Sequence, residues 1–156
     1  MSEKTNAIRL IQQAGIPYRE AFYEFDEKDL SGIHAAHAVG IPPEQVFKTL
    51  VLRGDKTGVN VFCIPVCCEL HLKKAAKASG NKKVELVPVK DLLSITGYIR
   101  GGCSPVGMKK KYPTYVDETC ILWEEISVSA GARGHQMILP PDQLIDFIEG
   151  KYVDLT

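Results

Sequence analysis

Two glycine-rich stretches offer backbone for chemistry rather than side chains for packing. GYIRGGCSPVG, residues 97–107, carries four glycines, a proline and a serine directly after a helical pattern. Gly101 and Gly102 can adopt conformations closed to other residues, which would let consecutive N–H groups approach an anion or a developing oxyanion. SAGARG, residues 129–134, has the same character at the end of a strand-like run and contributes Ser129, Gly131 and Gly134. Two such loops could line one pocket; the competing reading is a pair of sharp turns. Cys103 and Ser104 are candidate nucleophiles by location alone, and no general base is tied to either by spacing. Lys48 opens the apolar run FKTLVLR, where an ammonium points either to water or to a bound anion.

Further charge and metal-ligand types are scattered. LKKAAKASGNKK places Lys73, Lys74, Lys77, Lys82 and Lys83 together, and Lys109, Lys110 and Lys111 follow the first glycine loop. They form either a solvated face or a surface for a few phosphates. His34 and His37 are one helical turn apart, a spacing open to metal, but no acid lies between them. Five cysteines, at 63, 67, 68, 103 and 120, lack a paired C-x2-C repeat and fit free thiols, packed mainly as small hydrophobes, better than a zinc site or a disulfide framework. Neither a G-x-S-x-G elbow nor an H-E-x-x-H motif occurs, and no Walker or dinucleotide fingerprint is present.

The elements that must position these residues follow from periodicity and punctuation. Helices are predicted over residues 5–14, with Thr5 as N-cap, and over 31–39, ended by Gly40. Others are predicted over 72–79, 88–96 and 141–149, each followed by glycine. Strands are predicted at 18–23, 84–86, 112–117, 125–130 and 136–139, and GDKTG joins runs 47–53 and 59–65 as a hairpin. Short loops between mixed elements predict an α/β or α+β domain over residues 1–156, with a mixed, largely antiparallel sheet flanked by helices.

Composition narrows the class. The 156 residues hold 19 basic and 19 acidic side chains, with 45% hydrophobic and 24% charged residues, the profile of a globular domain. Zero net charge argues against gripping long nucleic acid unaided, so any such partner is held locally. No apolar stretch reaches the roughly 20 residues needed to cross a bilayer, and MSEKTNAIRL has no signal-type apolar core, so the expected location is the cytoplasm and no membrane partner is expected.

Taken together, FKTLVL around Lys48, LKKAAKASGNKKVEL, GYIRGGCSPVGMKKK and ISVSAGARG resemble, in the same order, the YbaK-like family of bacterial aminoacyl-tRNA deacylases, related to the editing domain of prolyl-tRNA synthetases. GYIRGGCSP looks like the branch that acts on cysteinyl-tRNA(Pro). The resemblance implies a barrel-like mixed α/β fold, no cofactor, and clearance of cysteine from mischarged tRNA(Pro). It implies that the substrate's own thiol attacks its ester carbonyl, which would explain why no protein nucleophile is evident. Lys48 would then bind the terminal nucleotide, Tyr23 would be an aromatic pocket residue, Gly101 and Gly102 would form the backbone-lined part of the site, and Ser129 would be the family's serine. Cys103 stands where relatives often carry an aliphatic residue, and Gln136 where some carry an acid. The implied partners are the aminoacyl-tRNA 3′ end and, transiently, prolyl-tRNA synthetase. A non-catalytic module binding a nucleotide or acceptor end is the main alternative, and a metal hydrolase using His34 and His37 a weaker one.

Overall fold

Strand-forming runs and glycine-stopped helices alternate along the chain, and the computed structural model describes residues 4–156. Five helices, α1 (Asn6–Gln13), α2 (Gly32–Val39), α3 (Leu72–Ala78), α4 (Val89–Thr96) and α5 (Pro141–Phe147), accompany eight strands. The strands are β1 (Arg19–Phe22), β2 (Phe47–Gly54), β3 (Gly58–Pro65), β4 (Val84–Leu86), β5 (Thr114–Asp117), β6 (Ile126–Ala132), β7 (His135–Leu139) and β8 (Lys151–Val153). Short 3-10 turns at Pro43–Gln45 and Glu118–Leu122 and the strand β8 go beyond the sequence expectation, and α5 ends at Phe147.

Two sheets result. One has the order β1-β7-β6 and is antiparallel; the other, β4-β2-β3-β5-β8, is mixed, with β5 parallel to both β3 and β8. A parallel bridge between Val46 and Ser127 brings the start of β2 alongside β6. The mixed, barrel-like α/β architecture is therefore present as two sheets that touch along one seam, without full closure.

Alternation of side chains across a strand sorts the residues into layers. The inner layer joins Ile126, Val128, Ala130, Met137 and Leu139 of the first sheet to Phe47, Val61 and Cys63 of the second. Helix α1 adds Ala7, Ile8 and Ile11, and α5 adds Leu144 and Ile145. Thr5 fixes α1 at this layer: its Oγ1 accepts the Ile8 N–H at 3.1 Å as the N-cap and donates to the Ala130 carbonyl at 2.6 Å. On the outer side of the second sheet, Leu52, Phe62 and Ile64 pack against Ala75 and Ala76 of α3. A smaller cluster seats Ala36 of α2 on Val46 and Val66.

Candidate functional site

Register defines the candidate site. Ala21 pairs with Gln136, and Gln136 with Ser129, so all three share a face of the first sheet. Tyr23 follows two residues after Ala21. Ser127, bridged to Val46, lies on the same face, and Lys48 and Ser129 stand two residues further along these parallel neighbours. Tyr23, Gln136, Ser127, Ser129 and Lys48 thus belong to one outward, polar face, opposite the apolar inner layer. Lys48 lies between the place where α2 covers Val46 and the place where α3 covers Leu52.

This face is polar and yet largely removed from water. Ser127 is fully buried, while Gln136 and Ser129 are 6% and 9% exposed. Ser127 Oγ donates to Gln136 Oε1 at 2.8 Å, and Ser129 Oγ accepts the Gly131 N–H at 3.1 Å. Such groups bury at low cost only when they are paired. Lys48 is half-buried and makes no ion pair among the described residues. The Gln136 amide leaves no carboxylate at that position.

The two glycine loops meet at the edge of this face. Gly101 has φ +88°, and a Cβ there would lie 3.2 Å from Leu30 Cδ2. A Cβ on Gly102 would lie 3.0 Å from the Arg133 backbone nitrogen, so a side chain there would push the two backbones apart by a few tenths of an ångström. Arg133 Nε donates to the Arg100 carbonyl at 2.9 Å and ties the loops together. Gly131 packs under the Tyr98 ring, and Gly134 accepts the Tyr23 N–H at 3.0 Å. Both stretches are therefore tight turns; the second, with Ser129 and Gly134, adjoins the polar face, and the first packs against it through Ala132 and Arg133.

Backbone accounting refines the expected pair of donors. Gly102 N–H already donates to the Ile99 carbonyl at 3.0 Å, closing the turn. Gly101 N–H has no protein acceptor among the described residues. Gly101 is therefore the free donor of the pair, and Gly102 supports its position.

The possible protein nucleophiles are poorly prepared. Burial pushes the Cys103 thiol up to about 11, against a lowering hydrogen bond from Thr96. Burial pushes Cys63 up to about 12 in the same way. Thiols shifted so far hold negligible thiolate near neutrality. Ser104 is fully buried, and its Oγ accepts the Val106 N–H at 3.2 Å, a turn-stabilising role that leaves no surface for a substrate.

Sequence reasoning favoured a surface or packing role for His34 and His37 over a metal pair. In the structure His37 is exposed, whereas His34 Nδ1 lies 3.9 Å from Asp29 Oδ2 and its buried Nε2 has no partner. Its ring meets Tyr23 edge-on at 6.2 Å. It also lines an open concavity of about 580 Å³ with Glu24, Phe25, Asp26, Glu27 and Lys28. No group of three or more His, Cys, Asp or Glu side chains among the described residues is arranged to hold a metal ion. No sequence signal marked His34 as a neighbour of Tyr23, because the two rings meet only through the tertiary fold. The lysine runs are partly neutralised: Lys74 pairs with Asp154, Lys83 with Glu85 and Lys111 with Glu149.

The family model for the aminoacyl-tRNA editing domain matches residues 31–147, which contain Lys48, Gly101, Ser129 and Gln136. The chain belongs to the aminoacyl-tRNA editing domain family. A relative from Enterococcus faecalis, named "Putative Cys-tRNA(Pro)/Cys-tRNA(Cys) deacylase EbsC", is 49% identical over 99% of this chain and 94% of its own length. A Bacillus subtilis relative, "Uncharacterized protein YwhH", is 25% identical over 80% of this chain and 78% of its own. Among solved structures, "Crystal structure of a putative trans-editing enzyme for prolyl tRNA synthetase" superposes with a TM-score of 0.81 at 24% identity, covering 99% of both chains. Hypothetical protein APE2540 superposes at 0.84 with 20% identity, covering 94% of this chain and 96% of its own. These two likenesses establish that the editing domain here has the same fold.

Proposed function

We propose that this editing domain is a trans-acting deacylase that clears cysteine from mischarged tRNA(Pro) in the cytoplasm. The observation that carries the reading is the 49% identity, over nearly the full length of both chains, to the relative named as a Cys-tRNA(Pro)/Cys-tRNA(Cys) deacylase. In this reading Lys48 holds the phosphate or ribose of the terminal nucleotide, supported by its unpaired ammonium beside a buried polar face. Tyr23 and Ser129 border the aminoacyl group, with Cys103 as a wall of the pocket and Gly131 and Gly134 holding the hairpin. Gly101 N–H faces the charge that develops on the carbonyl oxygen.

The chemistry proposed is intramolecular. The substrate thiol attacks its own ester carbonyl, the tRNA 3′ oxygen leaves with the thiol proton, and the resulting cyclic thiolactone is opened by water. Positioning and a backbone donor are then sufficient, because holding reactants in line replaces a bimolecular encounter. The raised thiols of Cys103 and Cys63 favour this route over a protein nucleophile. Zero net charge keeps intrinsic tRNA affinity low, so a transient complex with prolyl-tRNA synthetase is proposed to deliver the acceptor end.

Purified protein incubated with Cys-tRNA(Pro), Ala-tRNA(Pro) and Pro-tRNA(Pro) tests the reading. Cysteine release well above the protein-free control is expected, with the proline ester spared. Binding of the acceptor end without turnover would replace it with a non-catalytic module. An S-methylated cysteine ester is expected to survive, and its rapid cleavage would point to an activated water instead.

A further inference from the structure

The turn after β3 carries an adjacent pair of thiols for which the deacylation site has no use. Cys67 is exposed and Cys68 half-buried, whereas Cys63 and Cys120 are sealed in the interior. The expectation that the cysteines pack mainly as small hydrophobes therefore does not hold for Cys67. Adjacent residues of an extended chain point to opposite sides. Here the turn brings the two Sγ atoms to 3.9 Å. The Cys68 N–H closes the turn on the Pro65 carbonyl at 3.0 Å, and the Val66 N–H donates to the Val46 carbonyl at 2.8 Å. Lys48, paired in register with Ile64, stands beside this turn. Burial and the neighbouring Cys67 raise the Cys68 thiol, while the Lys48 ammonium is close enough to pull it down.

We propose that Cys67 and Cys68 form a thiol–disulfide exchange site at which a small-molecule disulfide closes the pair into a vicinal disulfide. The Cys67 thiolate, the exposed one, attacks one sulfur of the incoming disulfide and releases one small thiolate. The Cys68 thiolate then attacks Cys67 Sγ and displaces the second. The two cysteines lose two electrons and two protons, and the small disulfide departs as two thiols. Adjacent Cα atoms lie about 3.8 Å apart, below the ~4.4–6.8 Å that disulfides usually span. The bond is therefore strained and readily reduced, which makes it a reversible mark rather than a staple.

Ring closure must bring the sulfurs from 3.9 Å to about 2.05 Å. The turn moves with them, and Val66 transmits the movement because it packs on Val46 and Ala36. The start of β2, and with it Lys48, is displaced. That consequence for activity rests on the proposed deacylation; the modification itself does not.

The full chain, first reduced and then exposed to oxidised glutathione, is digested and mass-mapped. The wild type is expected to lose two hydrogens across Cys67 and Cys68 and to regain them with dithiothreitol. Cys68→Ser is expected to stop at a glutathione adduct on Cys67. Deacylation by the oxidised wild type is expected to fall severalfold and recover on reduction, while a Cys67→Ser/Cys68→Ser double variant keeps its rate throughout. A wild type that keeps both thiols, or that accumulates the adduct without the ring, overturns the proposal. A ring that forms with deacylation unchanged overturns the link to Lys48. Were the reduced protein inactive on every ester, the proposed function would fail while the mass shift still decided this proposal.

Discussion

The strands β6 and β7 have two faces built by opposite rules. One buries Ile126, Val128, Ala130, Met137 and Leu139 in the inner layer. The other, made by the residues in between, sets Ser127, Ser129 and Gln136, with a single apolar Ile138 opposite Ser127, beside Lys48 and is nearly as dry. The apolar face is explained by removal of area from water. The polar face gains little from burial and must satisfy each group it hides, so it is where selection for stability alone would have placed more valines. In the proposed function it is the polar face that works on the substrate.

The comparison breaks first on its apolar side. Leu139→Ala empties a fully buried position and is expected to cost about 2–5 kcal/mol, read as a lower denaturant midpoint. Deacylation per folded molecule should change little. Loss of activity without loss of stability would mean that the inner layer, too, belongs to the site.

Gly101→Ala sharpens the other side. It forces an L side chain to φ +88° against Leu30, at a cost of roughly 1–2 kcal/mol. That corresponds to a melting-temperature drop of roughly 2–8 °C, while deacylation should fall by more than the folded fraction does. A fall that merely tracks unfolding would remove Gly101 from the site.

Alkaline titration probes two desolvated thiols, Cys63 of the inner layer and the partly buried Cys103. Cys63 and Cys103 are raised from an ordinary value near 9 to about 12 and about 11, so between these values the folded state holds protons that the unfolded chain has released. Stability is therefore full below pH 9 and declines as pH rises from there toward 11 and 12. A melting temperature that rises over this range would refute the burial argument.

Ser129→Ala is the smallest change. It removes the acceptor of the Gly131 N–H, and a cost of about 1 kcal/mol in stability is expected, with a modest loss of deacylation rate.

Much of this was legible in the sequence, and the exceptions have physical reasons. Thr5 and Gly40 announced the ends of α1 and α2 because caps act through their own backbone neighbours. The hairpin of β2 and β3 was equally local. Strand β8 was missed because Lys151–Val153 carries no alternation of its own and pairs with β5 only after the chain has folded. At the site, residue types were visible but donors were not. That Gly102 spends its N–H on Ile99, that Ser104 turns inward and that His34 faces Tyr23 are tertiary facts without a periodic signature.

The central claim is the proposal that the polar face holds an aminoacyl-tRNA end through Lys48 and so positions its ester for deacylation. Side-by-side deacylation of Cys-tRNA(Pro) by the wild type and Lys48→Ala tests it most directly. Loss of a charge-assisted contact worth about 1.5–3 kcal/mol predicts a rate roughly 10- to 150-fold lower, with the melting temperature nearly unchanged. Equal rates for the two proteins, or a wild type no faster than the protein-free control, would contradict the account.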